Sequence, residues 1–349
     1  MTNFANHFVT DLQSVEIDES CGRRYWLSHL EAGHGIEAKS QVVPRLMDEA
    51  THADLRELSI MEDISAPTIQ TIIDDILEHL SAEERQDVEK MELLYRRLGW
   101  FAAFALFMEP ELRTNYEPVP VSPVLMLDRD PLWTLISPDR LLKSLASGET
   151  VYREYVPFGC GVSQRKWLQS WEHNIRLHLS ITAINDGDVE VTYGQVMGLN
   201  KGFNSLIDNR LVHPYVWGYR NIETKAWSTT RRGDAEWELV PVWTYPDGLV
   251  AWVKLCGEEV AKGQFPLSPP VYLDKELVTS WSSRRLHRER EINSIKAVAK
   301  DNVYLQSIHF PKITGNCCPA DAPDCSFLAR CWSNDTSRNV EYILNPSTT

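Results

Sequence analysis

The sequence has no apolar run long enough to cross a membrane as a helix. Its most apolar stretch, Trp100 to Met108, falls far short of the ~20 residues a span needs and predicts a buried helix instead. The first residues, Met1-Thr-Asn-Phe-Ala-Asn-His7, lack the charged start and apolar segment of a secretory signal. The expectation is a cytoplasmic protein, bacterial or phage-encoded, with no membrane partner. Positive charge is scarce too: 35 Lys and Arg against 49 Asp and Glu give −14. That balance argues against broad phosphate affinity, which needs clustered cations, but leaves room for a local basic groove. Arg284, Arg285 and Arg288 form one candidate for nucleic acid, although a charge run on a helix is ordinarily a solvated face. Arg231-Arg232, beside Gly233-Asp234, reads as a loop tip. Repeats and low-complexity stretches are absent, and only Asn345 to Thr349 reads as a tail.

Cysteine is sparse, seven in 349 residues, yet five lie toward the two ends: Cys21, then Cys317, Cys318, Cys325 and Cys331. Without export, structural disulfides are disfavoured and thiolate ligation of a metal is the better reading. Four thiolates suit zinc or an iron–sulfur cluster, and spacing does not separate the two. One early ligand and three late ones would join the ends of the chain like a clasp. Adjacent Cys317 and Cys318 do not easily share one metal, so one of them is a bystander. Cys160 and Cys256 fit small buried hydrophobes.

What is abundant is core material: 43% of residues are hydrophobic, 12 of them Trp, enough for one large domain or two ordinary ones. Helical spacing of Ile69, Ile72, Ile73, Ile76, Leu77 and Leu80 predicts a helix over Thr68 to Leu80. Ser81 with Glu84 predicts a capping box opening the next helix, which runs through Val88, Met91, Leu94 and Tyr95 into the apolar run. From Pro118 the character turns to β: strands through Leu127, over Leu132 to Ile136 and over Thr150 to Val156, separated by turn residues. Gln164 to Ile184 returns to helical spacing, with Trp167, Trp171, Ile175, Leu179 and Ala183 on one face. Further strands are expected at Val189 to Leu199, Pro214 to Arg220 and Trp237 to Tyr245, and helices at Gly248 to Lys262 and Asp274 to Lys300. This order predicts an α/β fold with one central mixed sheet flanked by helices.

One ordered set of residues carries chemistry. Asp139, in Ser137-Pro-Asp-Arg140, and Glu154, mid-strand, stand on neighbouring strands of a small meander followed by a helix. This resembles the metal-binding layout of PD-(D/E)XK nucleases. Leu46-Met-Asp-Glu-Ala-Thr-His52-Ala-Asp-Leu55 resembles the helix that gives RecB-like members an extra metal-binding His. Trp171-Glu-His-Asn-Ile-Arg176-Leu-His178 resembles the following helix in phage-type and bacterial relatives, where Gln usually precedes Leu-His. The terminal cysteines are similar to those of RecB-like nucleases of the AddB, exonuclease V and CRISPR-adaptation kinds, which hold a 4Fe-4S cluster. By that resemblance Cys21, in Cys21-Gly-Arg-Arg-Tyr25-Trp26-Leu27, is the first ligand, Cys317 or Cys318 the second, and Cys325 and Cys331 the last two, with zinc as the alternative.

The resemblance implies a PD-(D/E)XK core over 116–265, a helical N-terminal region with the first Cys over 1–115, a C-terminal helix and cysteine cluster over 266–340, and a tail over 341–349. It implies that His52, Asp139, Glu154 and the main-chain carbonyl of Tyr155 hold Mg²⁺ or Mn²⁺ for phosphodiester hydrolysis. The implied partners are DNA ends or single strands and a helicase or other DNA-processing protein. One departure matters. The catalytic Lys of active relatives falls at Val156, whose isopropyl group neither donates a hydrogen bond nor carries charge. Lys143, Lys166 or Arg176 would have to supply the missing cation. Three readings follow: a nuclease with relocated catalysis, a silent pseudo-nuclease that binds DNA, and a zinc-stapled interaction protein unrelated to nucleic acid.

Overall fold

The computed structural model describes residues 8–11, 36–81, 84, 88–158, 168–200, 215–224, 226–228, 236–243, 248–299, 302, 305, 308–309 and 342–344. After β1 (Phe8–Asp11) and β2 (Ile36–Ala38), three helices follow: α1 (Lys39–Leu58), α2 (Ala66–Glu78) and α3 (Val88–Ala103). Pro67 opens α2, and its Ile69 and Ile73 are buried, as their spacing predicts. Before α3, Ser81 and Glu84 make the capping box. Ser81 N–H donates to Glu84 Oε2 at 3.0 Å, and Glu84 N–H donates back to Ser81 Oγ at 3.2 Å.

The apolar run from Trp100 is buried through Ala105. Its second half, Phe104–Met108, widens into a π turn before α4 (Glu109–Asn115). Pro110 at the start of α4 accounts for this, because its ring would clash with the carbonyl four residues back in a regular α-helix.

Four strands form the central mixed sheet, in the order β3 (Tyr116–Val119), β6 (Arg140–Ser144), β7 (Thr150–Phe158) and β8 (Tyr193–Asn200). The first three are antiparallel neighbours, and β8 runs parallel to β7 after a crossover through α5 (Ile175–Asn185). The chain is thus α/β, but its described strands do not join one sheet. β4 (Leu125–Arg129) and β5 (Leu132–Ile136) form a hairpin that takes β1 as its third strand. A further antiparallel sheet has the order β10 (Trp227–Ser228), β9 (Tyr215–Asn221), β11 (Trp237–Trp243), and β12 (Tyr342–Leu344) pairs with β2. The strand beside β7 is therefore Arg140–Ser144, not the expected Leu132–Ile136. Its Arg-Leu-Leu-Lys-Ser pattern hides a strand because the buried position at its head is a charge, neutralised by Glu109.

Two helical layers cover the central sheet. On one face Leu55, Leu58, Ile69, Leu94 and Phe104 pack with Leu142, Tyr155, Met197 and Leu199. This layer includes α6 (Gly248–Cys256), which ends where Gly257 takes φ +82°, so the single helix expected to Lys262 is split before α7 (Glu258–Lys262). On the other face Trp171, Leu177 and Ile181 pack against Leu141, Tyr152 and Val196. Here α5 lies close to β8: a Cβ on Gly194 would stand 2.9 Å from Ile181 Cδ1. Val278 and Trp281 of α8 (Lys275–Ala299) cover α5 through Leu179 and Ala183. The helix expected over Gln164 to Ile184 is interrupted: Leu168 and Gln169 are helical, and α5 starts afresh at Ile175. Asn174 caps it, its Oδ1 accepting from Arg176 N–H at 2.9 Å, after a 3₁₀ turn over Ser170–His173.

Candidate active site

A buried polar centre lies where α1, the loop before β6, the middle of β7 and the start of α5 meet. Arg140 pairs with Arg153 across the sheet, so Asp139 stands opposite Glu154 and both carboxylates share a face. Asp139 is 5% exposed and Glu154 1%. A buried ionised carboxylate is costly unless a cation or donors meet it, and each here has one.

His52, on α1, brings Nδ1 within 2.7 Å of Asp139 Oδ1. The other oxygen, Oδ2, accepts the Tyr155 backbone N–H at 2.9 Å. Burial alone would raise the Asp139 pKa, but the His52 charge and hydrogen bond and the Tyr155 amide hold it below the ordinary value. Burial likewise opposes the charged form of His52, and the Asp139 carboxylate overcomes this and raises its pKa. Glu154 meets the Arg176 guanidinium, whose Nε contacts Oε1. Burial, helped by the nearby Asp139 charge, raises the Glu154 pKa against the pull of Arg176. The centre therefore consists of two close pairs side by side, His52 with Asp139 and Arg176 with Glu154. His52 and Arg176, with side chains 16% and 32% exposed, form its solvent side.

β7 sends alternate residues to opposite faces. Tyr155 packs edge-on against Phe104, ring centroids 5.6 Å apart, and Arg153 lies over the Tyr116 ring. Val156 is half-buried among the apolar residues on the α5 side, the side of Glu154. The cation that reaches Glu154 is Arg176, from the next helix. Lys143 is not brought here. It is exposed and in register with Thr150, which puts it roughly 13 Å along the strand from Glu154 at ~3.3 Å per residue. Lys166, Cys21, Cys317, Cys318, Cys325, Cys331 and Cys160 lie outside the described residues. Cys256 is buried in the core.

The basic run on α8 is divided: Arg284, His287 and Arg290 are exposed, while Arg285 and Arg288 are engaged. Arg285 is 3% exposed and paired with Glu289. Arg288 donates to Glu291 at 3.0 Å and to the His309 carbonyl at 2.9 Å. His178 is a satisfied core histidine, close to the Glu172 carbonyl and accepting from the Asp274 N–H.

Two features escape sequence reasoning. Arg56, one helical turn after His52, donates to the Pro138 carbonyl at 3.3 Å and braces the loop that carries Asp139; the i, i+4 spacing is its only signal. Behind the sheet, Glu109 accepts from Arg140 at 2.6 and 2.8 Å and from Arg113 at 3.0 Å. That network anchors the first residue of β6, next to Asp139.

The donors suit a hard divalent ion in kind: two carboxylates, an imidazole and a main-chain carbonyl. Among the described residues Glu154 Oε2 is buried without a hydrogen-bond partner, an acceptor that a cation would satisfy. In arrangement the ligands remain paired off. Among the described residues no three His, Cys, Asp or Glu side chains surround a common point that would hold a metal. Searches against protein-family models and curated proteins return no match for this chain.

Proposed function

We propose that the chain is a RecB-like, PD-(D/E)XK-type protein that acts on DNA ends or single strands, with the catalytic cation moved from strand to helix. The observation that carries this reading is the convergence of His52, Asp139, Glu154 and Arg176 at the edge of a meander that a helix and a parallel strand follow. A divalent ion, Mg²⁺ or Mn²⁺, held by Asp139, Glu154, His52 and the Tyr155 carbonyl would polarise the scissile phosphate and acidify the attacking water.

The protein's own groups have separable tasks. The Tyr155 amide and His52 fix both oxygens of Asp139, so the carboxylate is preorganised rather than recruited. Arg176 offsets charge developing on the phosphate, the task Val156 leaves undone. A misplaced cation weakens that stabilisation, by roughly 10²–10³ in rate if the effect matches loss of an oxyanion donor. Slow turnover is therefore expected. A silent, DNA-binding version is the second reading, favoured by the apolar Val156 and by the Arg176 contact that closes one oxygen of Glu154.

The terminal cysteines complete the proposal: Cys21, Cys325, Cys331 and one of Cys317 and Cys318 would hold a 4Fe-4S cluster, or zinc, with a helicase-type partner in the cytoplasm. The test is anaerobic purification with iron and sulfide analysis, followed by binding to single-stranded, blunt and circular DNA. The reading expects stoichiometric cluster iron and a preference for ends or single strands. Colourless zinc protein would remove the iron–sulfur assignment, and absence of DNA binding would remove the function.

A further inference from the structure

We infer that Arg176 is a built-in competitor for the divalent ion, and that a nucleic-acid phosphate relieves the competition by drawing the guanidinium off Glu154. The inference rests on the nuclease-type reading of the site and adds its regulation.

Two carboxyl groups face one guanidinium and one imidazole, and Arg176 takes Oε1 of Glu154 while Oε2 stays buried and unmatched among the described residues. A divalent ion with Glu154 as ligand would have to share the carboxylate with a fixed positive charge, at a distance where protein screening is weak. Among the described residues His52, Asp139 and Glu154 do not surround a common point, and each is already engaged, His52 with Asp139 and Glu154 with Arg176. Arg176 also has somewhere to go. Its side chain is 32% exposed while Glu154 is 1% exposed, so the guanidinium approaches from the solvent side and can swing outward as the carboxylate stays. Its backbone is held by the Asn174 cap at the first turn of α5, which leaves the side chain as the moving part. A phosphate arriving from solvent presents two oxygens that the planar guanidinium can engage in bidentate fashion. Phosphate and metal then assist one another through Arg176, and the coupling is reciprocal.

The test is Mn²⁺ binding, followed by electron paramagnetic resonance and calorimetry on the full chain without DNA, in wild type, Arg176→Met and Arg176→Lys. Arg176→Met should bind Mn²⁺ about ten- to a hundredfold more tightly than wild type, the span expected when one charge-assisted contact no longer competes. Arg176→Lys, which keeps the charge, should stay near wild type and controls for misfolding. A phosphorothioate single strand should tighten Mn²⁺ binding to wild type and do so much less for Arg176→Met. Equal or weaker Mn²⁺ binding by a folded Arg176→Met would overturn the inference. Tighter binding by Arg176→Met with no DNA binding by any variant would keep the competitor and discard the nuclease reading.

Discussion

The backbone amide of Tyr155 donates to Asp139 Oδ2 at 2.9 Å, tying the middle of β7 to the loop that enters β6. The carboxylate on which the site depends is thus held by the strand that carries its neighbour Glu154. Asp139→Asn keeps the volume but can present an amide N–H where an acceptor is needed, and it removes the charge facing His52. The expected result is a folded protein, destabilised by about 1–3 kcal/mol for the unsatisfied buried groups, with metal affinity lost. Denaturant unfolding with parallel Mn²⁺ titration measures both.

The His52–Asp139 pair sets a pH window. His52 has a raised pKa in the folded protein, so its contribution is fully present below its ordinary value of 6.5 and lost as pH rises through the folded value. Asp139 has a lowered pKa, so its contribution is present above its ordinary 3.8 and lost as pH falls through the folded value. Stability from the pair should be greatest between those limits. His52→Gln should flatten the alkaline limb of a stability–pH profile; an unchanged limb would show that the pair contributes nothing.

How much of this the sequence discloses depends on what each residue does there. His52, Glu154 and Arg176 stand on elements whose spacing is readable, whereas Asp139 enters a strand that is not. The partnership of Arg176 with Glu154 is not readable either, since it depends on how α5 crosses the sheet. β6 is hidden because Arg140 breaks the apolar alternation and is buried only with Glu109. The division into several sheets is hidden for a related reason: alternation marks a strand without naming the edge it meets.

Behind the sheet, Glu109 is fully buried beside Arg140. Replacing it with Gln leaves buried guanidinium charge uncompensated, which costs about 3–5 kcal/mol when one partner of such a pair is removed. Glu109→Gln should therefore lower the unfolding midpoint strongly. Replacing Glu109 and Arg140 together with Met should cost much less. Equal losses in the two proteins would show that the pair is not the source.

Gly194 lets α5 sit close against β8. Gly194→Val would push methyl groups into Leu177 and Ile181, an overpacking worth about 1–3 kcal/mol. Because Arg176 stands in the first turn of the same helix, the substitution should also weaken DNA binding. A loss of stability with unchanged DNA affinity would detach α5 from the site.

Val156→Lys would place an ammonium on the face of β7 that carries Glu154, at the position the resemblance assigns to the catalytic Lys. Cleavage should rise by about tenfold or more if charge stabilisation is limiting. No gain would mean that Arg176 already fulfils the role.

The most direct measurement is Mn²⁺-dependent cleavage of single-stranded and duplex DNA by anaerobically purified protein, wild type against Asp139→Ala with Glu154→Ala. The account predicts slow cleavage by wild type and none by the double variant, with folding retained. Robust cleavage that survives the double replacement would contradict it, because the chemistry would then lie elsewhere in the chain.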